Sequence, residues 1–197
     1  DNVESRGLGD VYKRQNIGYS SVNSNVYEEF VNKFDEKVLQ ETGLFLFDER
    51  KKIFVERFRG RLLFPINSLT AKPLGIGGRK IDDNNNFAKY INSPETKFFK
   101  KGNNLYNLDK ARKESNKIDQ VYLVEGYMDV ITLFNHDVKN CVANLGTALT
   151  SKQIMILSQF FKETIICFDS DDSGFKAAIR AAAVSYTHLT LPTSLIV

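Results

Sequence analysis

The segment Gln120-Val121-Tyr122-Leu123-Val124-Glu125-Gly126-Tyr127-Met128-Asp129 decides the fold. Its first half is an apolar run with the look of a buried strand. Glu125 stands at the strand's end, Gly126 supplies a turn, and Asp129 falls in the first turn of a predicted helix. The pattern returns further on as Thr164-Ile165-Ile166-Cys167-Phe168, then Asp169-Ser170-Asp171, then Gly174 and a helical run. In open α/β sheets the ligand site lies beyond the carboxyl ends of the strands. Acids gathered there repel one another unless a cation or a basic partner neutralises them. Two strands ending in carboxylates therefore predict a divalent-metal site.

Outward from this segment the chain alternates. A helix is predicted from Tyr127 to Asn135, with Val130, Ile131 and Phe134 on one face, and a strand from Asn140 to Asn144. Thr150-Ser151-Lys152-Gln153 has the form of a capping box for a helix through Phe161. The strand Thr164–Phe168 and a helix Phe175–Ala183 complete βαβαβα, and right-handed crossovers then give a parallel sheet with covered faces. Val184 to Val197 changes character and reads as neither helix nor sheet partner.

Upstream, residues 1–15 show no periodicity and read as a tail. Helical patterns run from Val26 through Phe34 and again from Asp35, with Gly43 fitting just past the second. Leu44–Phe47 and Ile53–Phe58 flank a charged turn as a β-hairpin. Arg61–Asn67 is a strand in which Pro65 argues for an edge or a strand end, because proline cannot donate to the ladder. Leu74–Arg79 pairs back onto it. Gly75, Gly77 and Gly78 leave room for a ligand to approach the backbone closely, although a bulge or tight strand is the commoner meaning of so short a signal. Asp82 to Gly102 reads as a long ordered loop with Asn84, Asn85 and Asn86 at its tip, followed by a helix over Leu108–Glu114. The fold class is α/β: a mixed α+β lobe over 16–115, then a parallel, Rossmann-like βαβαβα lobe over 116–183.

Composition excludes several classes. With 197 residues, 42% apolar and 26% charged, the chain suits one large domain or two small lobes of a soluble protein. Its two cysteines, Cys141 and Cys167, lie in apolar strand-like runs, which argues against a disulfide, excludes a cysteine-based zinc site and points to a cytoplasmic setting. No apolar stretch reaches transmembrane length and no signal peptide is visible, so no membrane association is expected. The net charge of +3 is uneven: Arg50 to Lys101 holds thirteen Lys and Arg against four Asp and Glu, and the rest of the chain is net acidic. A basic middle beside an acidic end suits a polyanion held next to a metal site, although a solvated surface with chance clustering gives the same count.

Glu125, Asp129, Asp169 and Asp171 are hard oxygen donors, suited to Mg²⁺ or Mn²⁺ rather than zinc. Glu125 could instead shuttle a proton. The competing structural roles are N-capping by Asp169 or Asp171 of the helix after Gly174, and complementing of a helix dipole by Asp129.

The runs Val124-Glu125-Gly126-Tyr127-Met128-Asp129 and Phe168-Asp169-Ser170-Asp171 resemble the Toprim domain. Arg61-Leu62-Leu63-Phe64-Pro65-Ile66, Gly77-Gly78-Arg79, Lys89-Tyr90-Ile91-Asn92-Ser93-Pro94-Glu95-Thr96, Lys101-Gly102 before Leu105-Tyr106, and Leu145-Gly146-Thr147-Ala148 narrow this further. Together, in order and spacing, they resemble the RNA polymerase core of bacterial DnaG-type primases from about Asn16 to Ala183. The resemblance implies template-directed synthesis of short RNA primers from NTPs on single-stranded DNA, by a nucleotidyltransferase. It carries the catalytic metal site to Glu125, Asp169 and Asp171, with Asp129 close by, and Mg²⁺ or Mn²⁺ as the ion. It carries a basic ridge for nucleotide or nucleic acid to Arg61, Arg79, Lys89, Tyr90, Asn92 and Lys101. Single-stranded DNA template, NTPs and RNA primer are the implied partners, with a replicative helicase engaged through a region absent here, and a monomer is expected.

The sequence departs from the family pattern at Ser170, where glycine is usual, and at Ser173, where alanine is usual. The zinc module, the helicase-binding region and a third acidic stretch are missing, and the ends resemble translated sequencing-adapter read-through. The chain therefore reads as an internal primase fragment with foreign tails at 1–15 and 184–197 and a truncated Toprim lobe, expected to be weakly active or inactive alone. Rival readings are a noncatalytic nucleic-acid-binding Toprim module and a Toprim nuclease or topoisomerase fragment; a nuclease would have no need of the basic ridge.

Overall fold

The structure, a computed structural model, describes residues 13, 15–82, 87–188 and 192–196. Its first half is antiparallel. Strands β1 (Gly18–Ser20), β4 (Arg61–Asn67), β5 (Pro73–Lys80) and β6 (Tyr90–Asn92) form one sheet in that spatial order. Helices α1 (Val26–Val31) and α2 (Glu36–Thr42) pack beside a separate hairpin, β2 (Phe45–Asp48) and β3 (Ile53–Glu56). Gly43 ends α2 in the left-handed conformation, as a residue without a Cβ can do cheaply. Asp35 holds the N-cap position of α2, but its side chain makes no cap hydrogen bond.

The second half is parallel. It comprises α3 (Leu108–Ala111), β7 (Gln120–Val124), α4 (Tyr127–Asn135), β8 (Cys141–Ala143), α5 (Ser151–Ser158), β9 (Glu163–Cys167), α6 (Asp172–His188) and β10 (Thr193–Ile196). The sheet order is β10-β9-β7-β8, with all pairs parallel. The alternating strand–helix order produces this, because parallel neighbours need crossovers and the covering helices bury both faces. Val121 and Leu123 of β7 pack into one core with α5 and α6, while Val124 faces a second core with Phe64, Tyr106 and Tyr127. That second core joins the two halves. The predicted capping box forms: Gln153 N–H donates to Thr150 Oγ1 at 3.2 Å and Thr150 N–H to Gln153 Oε1 at 2.9 Å.

Several expectations are corrected. Val184 to Val197 is not free of regular structure. Helix α6 continues to His188, because Ala181 and Ser185 prolong its buried stripe of small residues, and Ser185 Oγ donates to Ala181 O at 3.0 Å. Thr193–Ile196 then pairs with β9, and Pro192, which has no donor, sits just before the strand and accepts from Thr164 N–H at 3.2 Å. At the other end, Gln15 is buried and accepts from Lys110 Nζ at 2.6 Å, while residues 1–12 and 14 lie outside the described residues. Asp82 to Gly102 is not all loop: Tyr90–Asn92 is the fourth strand of that sheet and Lys101–Asn103 a 3₁₀ turn, and the Asn84–Asn86 tip lies within the undescribed stretch 83–86. Strand β4 is internal over Arg61 to Leu63 and becomes a local edge at Pro65, as the proline predicts. Pro65 is tolerated because β1 pairs only with Arg61 to Leu63, so at Pro65 the strand has one neighbour, β5.

Candidate active site at the strand ends of the parallel sheet

Strands β7 and β9 are neighbours in register, with Val124 opposite Cys167, so the residues that follow them emerge at one edge of the sheet. Glu125 Oε1 accepts from the backbone N–H of Asp169 at 3.1 Å. Gly174, in the first turn of α6, lies directly above this contact. A Cβ there would stand 2.1 Å from Asp169 O and 2.9 Å from Glu125 Oε1, so glycine is what lets the helix start so close to both acids.

Asp129 Oδ2 accepts from Gly126 N–H at 2.9 Å and closes the start of α4. Burial pushes its carboxyl above the usual carboxylate range; the Gly126 bond opposes this, and the charge of Asp169 adds to it. Asp129 therefore feels Asp169 across the strand ends. Asp171 Oδ1 accepts from Gly174 N–H at 2.7 Å and from Ser173 Oγ at 2.9 Å, and these bonds hold it below the usual range on an exposed helix start. Asp129 and Asp171 thus each use one oxygen as a helix cap, while Glu125 and Asp169 are tied to each other. Among the described residues no three Asp, Glu, His or Cys side chains converge as a ready-made metal sphere. The capping role separates two substitutions: Asp171→Asn keeps a good N-cap and should leave the melting temperature unchanged, whereas Asp171→Ala should lower it by a few degrees in a thermal scan.

Beside the acids lies a cleft of about 600 Å³ lined by Glu125, Asn144, Thr147, Phe168 and Arg180. Arg180 belongs to none of the sequence motifs. It is an exposed basic residue among the alanines of α6, and only the helix's placement over β9 brings it to the cleft.

The ridge residues divide between the two faces of the antiparallel sheet. Cross-strand partners share a face, so the register groups Leu62 with Arg79 and Tyr90, and Phe64 with Gly77 and Asn92. This face meets the parallel half, because Phe64 and Tyr127 are stacked with centroids 4.9 Å apart. Arg61 belongs to the opposite face. It is 6% exposed, and its guanidinium donates to Lys89 O at 3.2 Å, beside the approach to β6. Asn92 is also internally committed: it accepts from Tyr127 Oη at 2.6 Å and donates to Leu145 O at 2.7 Å. Arg79, Tyr90, Lys89 and Lys101 retain surface exposure.

The glycine run makes room for protein, not for a ligand. A Cβ on Gly77 would stand 2.4 Å from Tyr127 Cζ, and its neighbours Gly75 and Gly78 are crowded by Phe99 and Phe58. Gln153, wholly buried, is a further joint that sequence reasoning read only as a cap: its Nε2 donates to Lys101 O at 3.1 Å and to Asn104 O at 2.7 Å.

Comparison with known proteins agrees with both halves. Residues 2–112 match the family described as DNA primase catalytic core, N-terminal domain, and residues 119–193 match the Toprim domain. The DNA primase of Legionella pneumophila is 39% identical over 191 residues, covering 96% of this chain and 32% of that protein. A DNA primase domain from Pseudomonas aeruginosa superposes with a TM-score of 0.86 at 32% identity, over 98% of this chain and 62% of that one. A DnaG primase catalytic domain bound to single-stranded DNA gives 0.85 at 33%, over 98% and 60%. The chain spans about a third of the length of the curated relatives it matches. An acid pair at the ends of adjacent parallel strands, backed by an antiparallel basic lobe and matched along nearly its whole length, places this chain in the family of DNA primase catalytic cores.

Proposed function

We propose that this chain is the nucleotide- and template-handling core of a primase that makes short RNA primers from NTPs on single-stranded DNA. The observation that carries this is the juxtaposition of two features. Glu125 and Asp169 sit together at the ends of β7 and β9, and the sheet face bearing Arg79 and Tyr90 packs against the same half. The relative solved with single-stranded DNA supports the template assignment.

The donor set fits a divalent cation of the Mg²⁺ or Mn²⁺ type. It consists of hard carboxylate oxygens brought together at the ends of adjacent strands. Glu125 and Asp169, with Asp129 beside them, would hold the ion, and water and triphosphate oxygens would complete its sphere, as is usual for Mg²⁺. When bound, the ion supplies charge neutralisation at the triphosphate and a more acidic 3′-hydroxyl. The chain's own residues do the rest. Gly174 keeps the start of α6 close over the acids, Arg79 and Lys89 offer fixed positive charge to phosphates, and Tyr90 offers a ring on which a base can stack.

Incorporation of labelled ATP on a single-stranded template, titrated with Mn²⁺, tests the reading in an intact enzyme carrying this core. Metal-dependent incorporation is expected; template binding without any incorporation would leave a binding module instead. On the basic side, Lys89→Ala or Lys101→Ala should weaken binding of single-stranded DNA and flatten its salt dependence by about 0.7 in the log–log slope for each phosphate no longer neutralised. Wild-type affinity and slope in a fluorescence anisotropy titration would make those lysines bystanders.

A further inference from the structure

Three parts of the chain far apart in sequence meet at Asn92. Tyr127 starts α4, two residues after Glu125. Asn92 ends β6 in the antiparallel sheet. Leu145 lies early in the loop from β8 to α5, and the next residues, Gly146 to Ala148, line the cleft that Glu125 also lines. The hydrogen bonds run in one direction. Leu145 O can only accept, so the Asn92 amide must turn its NH₂ toward it, at 2.7 Å. Asn92 Oδ1 then faces Tyr127, which must donate, at 2.6 Å. The ring of Tyr127 cannot swing away, being stacked on Phe64 at 4.9 Å and set edge-on to Tyr106 at 4.8 Å.

We infer that Asn92 and Tyr127 are positioning residues: their relay clamps the loop Leu145–Ala148 to the basic lobe and holds both at fixed distance from the acids. The inference rests on the reading of this site as one for metal and nucleotide. It gives Asn92, which lies on the same sheet face as Tyr90 and Arg79, a role distinct from contact with the nucleotide. Arg79 and Tyr90 pair on β5 and β6 one step along from Gly77 and Asn92. A relay that fixes Asn92 therefore also fixes where those two side chains stand relative to the strand ends.

Two near-isosteric variants of the purified chain test this. Tyr127→Phe keeps the ring contacts and removes the hydroxyl. Asn92→Asp keeps the shape, removes the NH₂ donor and sets a carboxylate against Leu145 O. Amide hydrogen exchange, thermal unfolding, Mn²⁺ affinity alone and ATP affinity in Mn²⁺ are measured for each. Exchange across 145–148 should rise about tenfold in both, the scale of one net hydrogen bond, with the melting temperature nearly unchanged. Mn²⁺ affinity alone should hold within about twofold, since the acids are untouched, while ATP affinity in Mn²⁺ falls about tenfold. Unchanged loop exchange in both variants overturns the inference. So does a uniform loss of stability, loop protection and Mn²⁺ affinity, which would make the relay ordinary packing. If the wild-type chain fails to bind ATP with Mn²⁺, the proposed function falls, and the exchange measurement still decides whether the relay clamps the loop.

Discussion

Asp169→Asn is expected to abolish metal-dependent primer synthesis in an intact primase carrying this core, by at least about 10²–10³-fold, while leaving the protein folded. The side chain is exposed at a strand end, so little packing is lost. The backbone N–H of residue 169 still donates to Glu125 Oε1, because that bond does not use the side chain being changed. What disappears is one of the two charges that the strand ends bring together. Glu125→Gln should act similarly, with its amide oxygen still able to accept from residue 169. Primer synthesis followed by gel, with circular dichroism of the same preparations, distinguishes the outcomes. Near-normal synthesis, or loss of synthesis only through unfolding, would remove Asp169 from the metal site.

The second large effect is at the joint between the halves. Gly77→Ala would place a Cβ 2.4 Å from Tyr127 Cζ and 2.5 Å from its Oη. The tyrosine has nowhere to go, being packed between Phe64 and Tyr106. Overpacking of this kind costs about 1–3 kcal/mol. Tyr127→Ala leaves the opposite defect, a cavity where an aromatic ring stood, at about 3–5 kcal/mol. The double variant should be destabilised by clearly less than the two together, because the alanine methyl enters the space the ring vacates. Urea unfolding of the four proteins measures this. Strict additivity would show that Gly77 and Tyr127 do not share one space.

The parallel half was legible because its signals are local: apolar runs of strand length, acids at their ends and a capping box that forms as written. So was the pairing of β4 with β5. What escaped were features set by distant partners. The glycine run looks alike whether a ligand or Tyr127 fills the space beside it. Asn92 sits in a stretch rich in polar and basic residues and reads as a contact residue, and nothing near it in sequence announces Leu145, fifty-three residues on. Arg61 alternates to the face opposite Arg79 and Tyr90, which only the register with Lys80 and Ser20 reveals. Asp129 and Asp171 carry the residue type of metal ligands and of helix caps alike, and the backbone N–H groups of Gly126 and Gly174 show that one oxygen of each caps a helix. The strand Thr193–Ile196 was missed because four residues after a proline carry too little periodicity to read.

The bonds that cross the molecule have a bearing on how it is made. Asn92 reaches Leu145, Asn107 Nδ2 donates to Cys141 O at 2.9 Å, Tyr106 bridges to Ala143, and Lys101 and Asn104 both accept from Gln153. During synthesis the antiparallel half therefore leaves the ribosome with Phe64, Phe99 and Tyr106 lacking the cover that Tyr127, Val130 and Leu145 later provide. It must wait for about fifty more residues before its core can close. Once closed, a protease that cuts the exposed turn at 116–119 would sever one peptide bond and still leave a single particle, since the aromatic stack and the side-chain bonds to Leu145 and Gln153 hold the halves together.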